Sequence, residues 1–379
     1  MLVAVLVVGV VRWRTTSGTS AEHPPAAAPA PAAPAPRAAP PPAAPAGPAS
    51  CLQRVAALPL RARLAQRLMV GVDPTAPAAA RTVVARTGVG GLFIGGNPTA
   101  ILRNDALAPV RSASPMPVSV AVDDEGGRVQ RIDELDGSIP SARTMAATMS
   151  PAQVRALAAK RGKELRARGV TVDMAPVLDT SSQGAGTAIG DRSFSADPAT
   201  VIKYAGAFAD GLRDAGVLPV FKHFPGHGRA SGDSHEGLVS TPALSSLRGT
   251  DLKPYSSVLN GGKAEVMIGH LAVPGLTGGL PASLSPAAYT LLRTDYGFRG
   301  VTITDDLGAM KAISDRYPLP KAVLTAFQAG ADVALWTSTE QLDTVLNTLQ
   351  AAVDSGTLSR ENVDESVARI LAAKGYCAG

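Results

Sequence analysis

From residue 52 to its end the chain alternates short apolar runs with amphipathic ones, and this alternation limits the fold more than any other feature. GGLFIGG (90–96), PVSVAVD (117–123), VTVDMAPVLD (170–179), VLPVFKHF (217–224), EVMIGHL (265–271), VTITDDL (301–307) and DVALWT (332–337) have the length and β-branched content of strands. Their near-continuous apolarity suits parallel strands buried on both faces. Between them lie helical stretches with legible ends. Ser150-Pro151 opens one that Gly169 closes, and Asp197-Pro198 opens another that Gly216 closes, each with an N-cap, a first-turn proline and a glycine past the end. Further helices are expected at about 286–295, 319–329, 339–355 and 359–374. A repeated strand-then-helix order predicts a parallel sheet wrapped by helices.

The polar residues choose between an open sheet and a closed one. Nearly every expected strand ends in a titratable group: Asp123 with Asp124, Asp179, Lys222 with His223, His270, and Asp305 with Asp306. In a (β/α)8 barrel of the triosephosphate isomerase type all carboxyl ends of the strands meet on one rim, where active sites are built. A doubly wound sheet would instead carry a glycine-rich phosphate loop after its first strand, and Gly95-Gly96-Asn97-Pro98 is not that fingerprint. The expectation is a single catalytic barrel over 51–379, with seven strands visible and an eighth, weaker one near 60–72. The 45 % apolar content supplies such a core, and 36 basic against 31 acidic residues with no basic run interleaved with aromatics argues against nucleic acid as a partner.

The first fifty residues stand apart. MLVAVLVVGVV, followed by Arg12 and Arg14, is too short to span a bilayer as a helix, which takes about 20 residues. Residues 1–22 therefore read as a signal or anchor-like segment. Residues 23–50 are a Pro/Ala-rich disordered linker, a composition that cannot bury enough side chain to offset its ordering entropy. Together they predict an exported protein of the cell envelope or exterior, with a possible membrane tether. The two cysteines, Cys51 where the linker ends and Cys377 near the C-terminus, bracket the domain and are expected to form a disulfide in an oxidising compartment.

KHFPGHGRASGDSH (222–235) packs three of the five histidines into fourteen positions. His223, His227, Asp233 and His235 could hold a zinc ion, yet no helical HExxH and no CxxC accompanies them. A purely structural role fits His227 better than the rest. Asp233 and His235, two apart on an extended segment, can face the same way, so that the carboxylate fixes the imidazole tautomer for proton transfer.

This loop, with AVDDEGGRVQR (121–131), IGDRSF (189–194) and TITDDLGAM (302–310), resembles glycoside hydrolase family 3 in its β-N-acetylhexosaminidase branch. The motifs occur in order across most of 55–375. The resemblance implies a barrel domain and a retaining β-N-acetylglucosaminidase that acts on peptidoglycan-derived saccharides without metal or cofactor. Asp305 would be the nucleophile, His235 the acid and base, and Asp233 its orienting partner. Asp123, Arg131, Arg192, Lys222 and His223 match positions that hold the sugar ring. Asp306 reads as a strand-end cap, and Glu125 as a brace for the turn into Gly126 and Gly127. Two departures touch the rim: Arg229-Ala230 follow Gly228 where the family commonly has Asp-Thr, and DDLGAM is one residue longer than the common DDLxM. A phosphorylase of the same family is the alternative chemistry, since an imidazole repels an incoming phosphate less than a glutamate would, and a non-catalytic glycan-binding envelope protein is the alternative class.

Overall fold

The computed structural model describes residues 49–377. The signal or anchor-like segment and nearly all of the Pro/Ala linker lie outside the described residues. No helix among the described residues is long and apolar enough to cross a membrane.

Eight parallel strands close a barrel: β1 Leu68–Gly71, β2 Gly91–Ile94, β3 Ser119–Val122, β4 Val172–Asp173, β5 Leu218–Phe224, β6 Glu265–Ile268, β7 Thr302–Asp306 and β8 Val333–Trp336. Each pairs with its sequence neighbours, and β1 pairs with β8 through Leu68 to Ala334 and Val70 to Trp336. The weak eighth strand anticipated near 60–72 is β1. Helices α1 Ala49–Ala56 and α2 Leu60–Gln66 precede it, and the crossovers run through α3 Pro77–Thr87, α4 Leu107–Arg111, α5 Pro151–Ala167, α6 Pro198–Asp214, α7 Lys253–Val258, α8 Pro286–Thr290, α9 Leu319–Ala329, α10 Leu342–Asp354 and α11 Arg360–Ala373. Ser150 caps α5 with a full capping box and Asp197 caps α6, as their sequences require.

The period of two along a strand sorts side chains between two cores. Met69, Phe93, Ala121, Val172, Val220, Met267, Ile303 and Leu335, one from each strand, pack together inside the barrel. Their neighbours Leu68, Leu92, Val120, Phe221, Val266 and Ala334 face out to the helices. Two residues beyond the inner layer come Asp123, Lys222 and Asp305, which therefore point into the barrel mouth. β4 is shorter than its ten-residue apolar run because Pro176 has no N–H to donate. The chain nevertheless continues beside β5, with Val220 N bonded to Ala175 O and Leu178 N to Lys222 O.

The first and last elements are bound to each other. α1 lies on α11, Cys51 is joined to Cys377 by a disulfide, and Lys374 Nζ donates to Gln66 Oε1, Gly90 O and Pro117 O at 3.0, 2.7 and 3.0 Å.

Candidate active site

At the carboxyl end of the strands a cavity of about 280 Å³ is lined by Asp123, Arg131, Arg192, His223, Asp233, His235 and Asp305. Seven of the eight expected site residues thus meet in one place. The eighth, Lys222, lies under the wall they form, with its Nζ 2.5 Å from Asp123 Oδ1. Two irregularities help to aim these groups. Opposite Val266 and Ile268 of β6, β5 runs from Phe221 to Phe224, and the extra residue lets Lys222 and His223 both serve the mouth. A second register shift, of β7 against β8, falls beside Asp305.

Lys222 and Arg192 are held by a carboxylate to which the sequence reading assigned a different task. Glu125 does not brace its turn with its side chain. It is buried, accepts Arg192 Nη2 and Nε at 2.7 and 2.8 Å, and lies 2.5 Å from Lys222 Nζ. Burial opposes charge on Glu125, yet the two cations outweigh it and hold its carboxyl well below the usual range. Burial likewise opposes charge on Lys222, but Asp123 and Glu125 outweigh it, so the ammonium titrates above its ordinary value. The wall of the cavity is therefore permanently ionic. Arg128 fastens the segment carrying Arg192 through Thr187 O and Asp191 Oδ1, and Arg143 does so through Gln183 O, Ser181 O and Gly190 O.

His223 is aimed by Asp179, a buried carboxylate that accepts from its Nδ1 at 2.7 Å and from the backbone N–H of His227 at 2.6 Å. Burial would raise the Asp179 carboxyl, but His223 and its other donors bring it below the usual value. A carboxylate can only accept, so it keeps the proton on Nδ1 and leaves Nε2 for a ligand. His227 also lines the cavity, but its Nε2 is engaged by Ser234 Oγ at 3.0 Å. Each of these imidazoles already commits one nitrogen to a protein partner, and among the described residues no group of three or more His, Cys, Asp or Glu converges as a metal would require.

The catalytic candidates face the same space. Asp233 Oδ1 accepts from His235 Nδ1 at 2.7 Å and from its backbone N–H at 2.9 Å, so Nε2 is the nitrogen free to transfer a proton. The His235 side chain is 68 % exposed, so this nitrogen is open to the solvent side of the cavity. Asp305 Oδ1 accepts only the N–H of Asp306, at 2.9 Å, and its second oxygen has no hydrogen-bond partner among the described residues. Burial works against its charge, but His270, His223 and that N–H depress its titration, so the carboxylate is ionised and available. Asp306 caps the following turn, accepting from Gly308 N and Ala309 N. Arg131 lines the cavity with Nε buried and unpartnered among the described residues.

The loop owes its glycines to close packing. A Cβ on Gly228 would lie 2.0 Å from Thr180 O, and Gly226 adopts φ +133° against Asp251. Arg229, one of the departures from the family pattern, bonds the buried Asp251 carboxylate through Nε and Nη2 at 2.9 and 2.6 Å and pins the loop to the segment before α7.

A profile of the Glycosyl hydrolase family 3 N terminal domain matches residues 59–373. The chain belongs to glycosyl hydrolase family 3. This family member is a glycoside hydrolase on a (β/α)8 barrel. It is 51 % identical over 338 residues to the β-hexosaminidase LpqI of Mycobacterium tuberculosis, covering 86 % of this chain and 87 % of that one. It is 37 % identical to a β-hexosaminidase of Stenotrophomonas maltophilia, over 65 % of this chain and 75 % of the relative. Among solved structures, a family 3 glycosyl hydrolase from Mycobacterium smegmatis superposes with a TM-score of 0.82 at 52 % identity, covering 84 % of this chain and 98 % of that one. A family 3 β-N-acetylglucosaminidase from a Paenibacillus species gives 0.79 at 32 % identity, over 85 % and 63 %.

Proposed function

We propose that this family 3 hydrolase is an exported, retaining β-N-acetylglucosaminidase that removes terminal N-acetylglucosamine from peptidoglycan fragments through a glycosyl-Asp305 intermediate. The observation that carries the reading is the pairing of an ionised, half-free Asp305 with the Asp233–His235 dyad on the walls of one polar cavity. Its relatives' names, β-hexosaminidase and β-N-acetylglucosaminidase, supply the sugar class. A cavity of about 280 Å³ is at the small end for ligand sites and suits one sugar ring, hence removal of a terminal residue.

In the first step an Asp305 oxygen bonds the anomeric carbon while the bond to the leaving oxygen breaks, and protonated His235 gives that oxygen its Nε2 proton. In the second step neutral His235 takes a proton from water, whose oxygen displaces Asp305 from the same carbon. Two displacements restore the starting configuration. Asp123, Arg131, Arg192, Lys222 and His223 would hold the ring through its hydroxyls and amide. The test uses an activated aryl N-acetyl-β-glucosaminide, with chelator present and phosphate absent. Asp305→Ala should lose turnover on every substrate. His235→Ala should retain the first step on the activated substrate, show a burst, and be rescued by azide, while failing on natural disaccharides. Equal inactivity of folded His235→Ala on both substrates, with neither burst nor rescue, would sink the assignment. A strict requirement for phosphate, with a sugar 1-phosphate as product, would replace hydrolysis by phosphorolysis.

A further inference from the structure

The barrel has a second recess, at the floor, on the face opposite the catalytic cavity. Its volume is about 480 Å³. Two residues before Met267 of the inner layer, Glu265 points inward at this end, is almost fully buried, and has no side-chain hydrogen-bond partner among the described residues. Around it stand Arg111 at the end of α4, Arg166 at the end of α5, Arg213 at the end of α6, Lys263 just before β6, and Lys374 just after α11.

Barrel helices return antiparallel to the strands, so their C-termini converge on the floor, and a cation in a last turn is favoured by the helix dipole. That accounts for the position of each arginine. It does not account for donors left unspent around a common recess. Among the described residues Arg111 and Lys263 have no side-chain hydrogen bond or ion pair, and Arg166 has only a 3.5 Å contact with Val170 O. Arg213 uses Nε on Lys263 O and Nη1 on Asp210, both at 2.8 Å, while its Nη2 is buried without a partner. Lys374 is different, since its three donors already close the floor. Burial also lowers its titration to about 7, so four cations, Arg111, Arg166, Arg213 and Lys263, surround a recess whose only acidic lining residue, among those described, is Glu265.

We propose that the floor recess binds a phosphate-type oxyanion, a tetrahedral group whose oxygens can take up the spare guanidinium donors of Arg166 and Arg213 with Arg111 and Lys263 at the rim. The anion is either a soluble phosphate compound or the phosphodiester headgroup of a lipid. The proposal is independent of the assigned sugar chemistry, which lies at the other end of the barrel.

Calorimetric titration of the full chain with inorganic pyrophosphate at low salt reads the soluble source, and co-sedimentation with phosphatidylglycerol vesicles against phosphatidylcholine vesicles reads the lipid source. Arg111 and Lys263 are exposed, so the double variant Arg111→Gln/Lys263→Gln should fold and keep its hydrolytic rate. It should weaken pyrophosphate binding roughly tenfold or more, or abolish the excess sedimentation with anionic vesicles, whichever the wild type shows. Glu265→Gln should tighten the same binding at pH 8. The idea is overturned if the wild type binds neither pyrophosphate nor anionic vesicles in excess of neutral ones. It is equally overturned if the double variant binds as the wild type does, because the anion then sits elsewhere.

Discussion

Replacing Glu125 by glutamine removes one charge from a cluster in which it faces two cations. Three charge-assisted contacts, at 2.7 and 2.8 Å to Arg192 and 2.5 Å to Lys222, end on this carboxylate, and Glu125 and Lys222 are almost wholly buried. Glutamine keeps the shape and one acceptor, but its NH₂ group must face a guanidinium or an ammonium. Breaking a buried ion pair by removing one partner costs about 3–5 kcal/mol, because the remaining charge has neither water nor a counterion. At about 2 °C per kcal/mol for a domain of this size, the midpoint of thermal unfolding should fall by roughly 6–10 °C. The pH dependence carries the sign of the effect. A carboxyl whose folded titration lies below its unfolded value of 4.5 stabilises the fold above that pH and loses the contribution as pH falls through the folded value. The variant and wild type should therefore differ most at neutral pH and converge in strong acid. Urea unfolding at pH 7 and at pH 3, followed by circular dichroism, measures the difference and its narrowing toward acid. A difference under about 1 kcal/mol at pH 7 would mean that water or neighbouring acids already satisfy Lys222 and Arg192, and the ionic-wall argument would fail.

Other outcomes follow from the same geometry. Burial raises the Glu265 carboxyl from 4.5 to about 7, against the nearby Lys374, so the fold holds a proton there that the unfolded chain releases. Wild-type stability should decline relative to Glu265→Gln between pH 4.5 and 7, by on the order of 2–3 kcal/mol, and parallel denaturation curves across that range would contradict it. Non-reducing peptide mapping should find Cys51 linked to Cys377, and because the bond spans a sequence separation of 326, reduction should lower stability by up to about 5 kcal/mol. Two alkylatable thiols in the oxidised protein would refute the linkage. Asp179→Asn should lower kcat/KM by roughly tenfold or more in a folded protein, since His223 loses the carboxylate that sets its tautomer; unchanged kinetics would mean that His223 is oriented by something else.

The barrel was legible because parallel strands buried on both faces must be apolar almost throughout, and because Ser150-Pro151 and Asp197-Pro198 announce helix starts by mechanisms local to the chain. The titratable groups at the strand ends were legible for the same reason, as polar residues at the end of an apolar run have nowhere to go but the rim. Pairings between distant segments were not. Glu125 meets Arg192 and Lys222 across 67 and 97 positions, and nothing near AVDDEGGR distinguishes a turn brace from a counterion. Asp179 was visible only as the end of a strand, because its partners His223 and His227 come from the neighbouring strand and the loop beyond it. The clue available was arithmetic: Arg192 and Lys222, placed on one rim with Asp123, need more negative charge than Asp123 alone provides.

The seam between beginning and end bears on how such a chain can be made. β1 cannot complete its ladder until β8 exists, α1 has no surface to lie on until α11 has formed, and Lys374 and Cys377 reach back to partners that precede them by hundreds of residues. Contacts of such long sequence separation form late, so a chain growing from its N-terminus presents an open, curling sheet with an unpaired edge until β8 has been made. Pairing of β8 with β1 is the event that turns the sheet into a barrel. A polypeptide ending even at residue 373 would lack both the lysine that ties the floor and the cysteine that fastens α1. Such a chain would still possess all eight strands, but its floor and its first helix would be left untied.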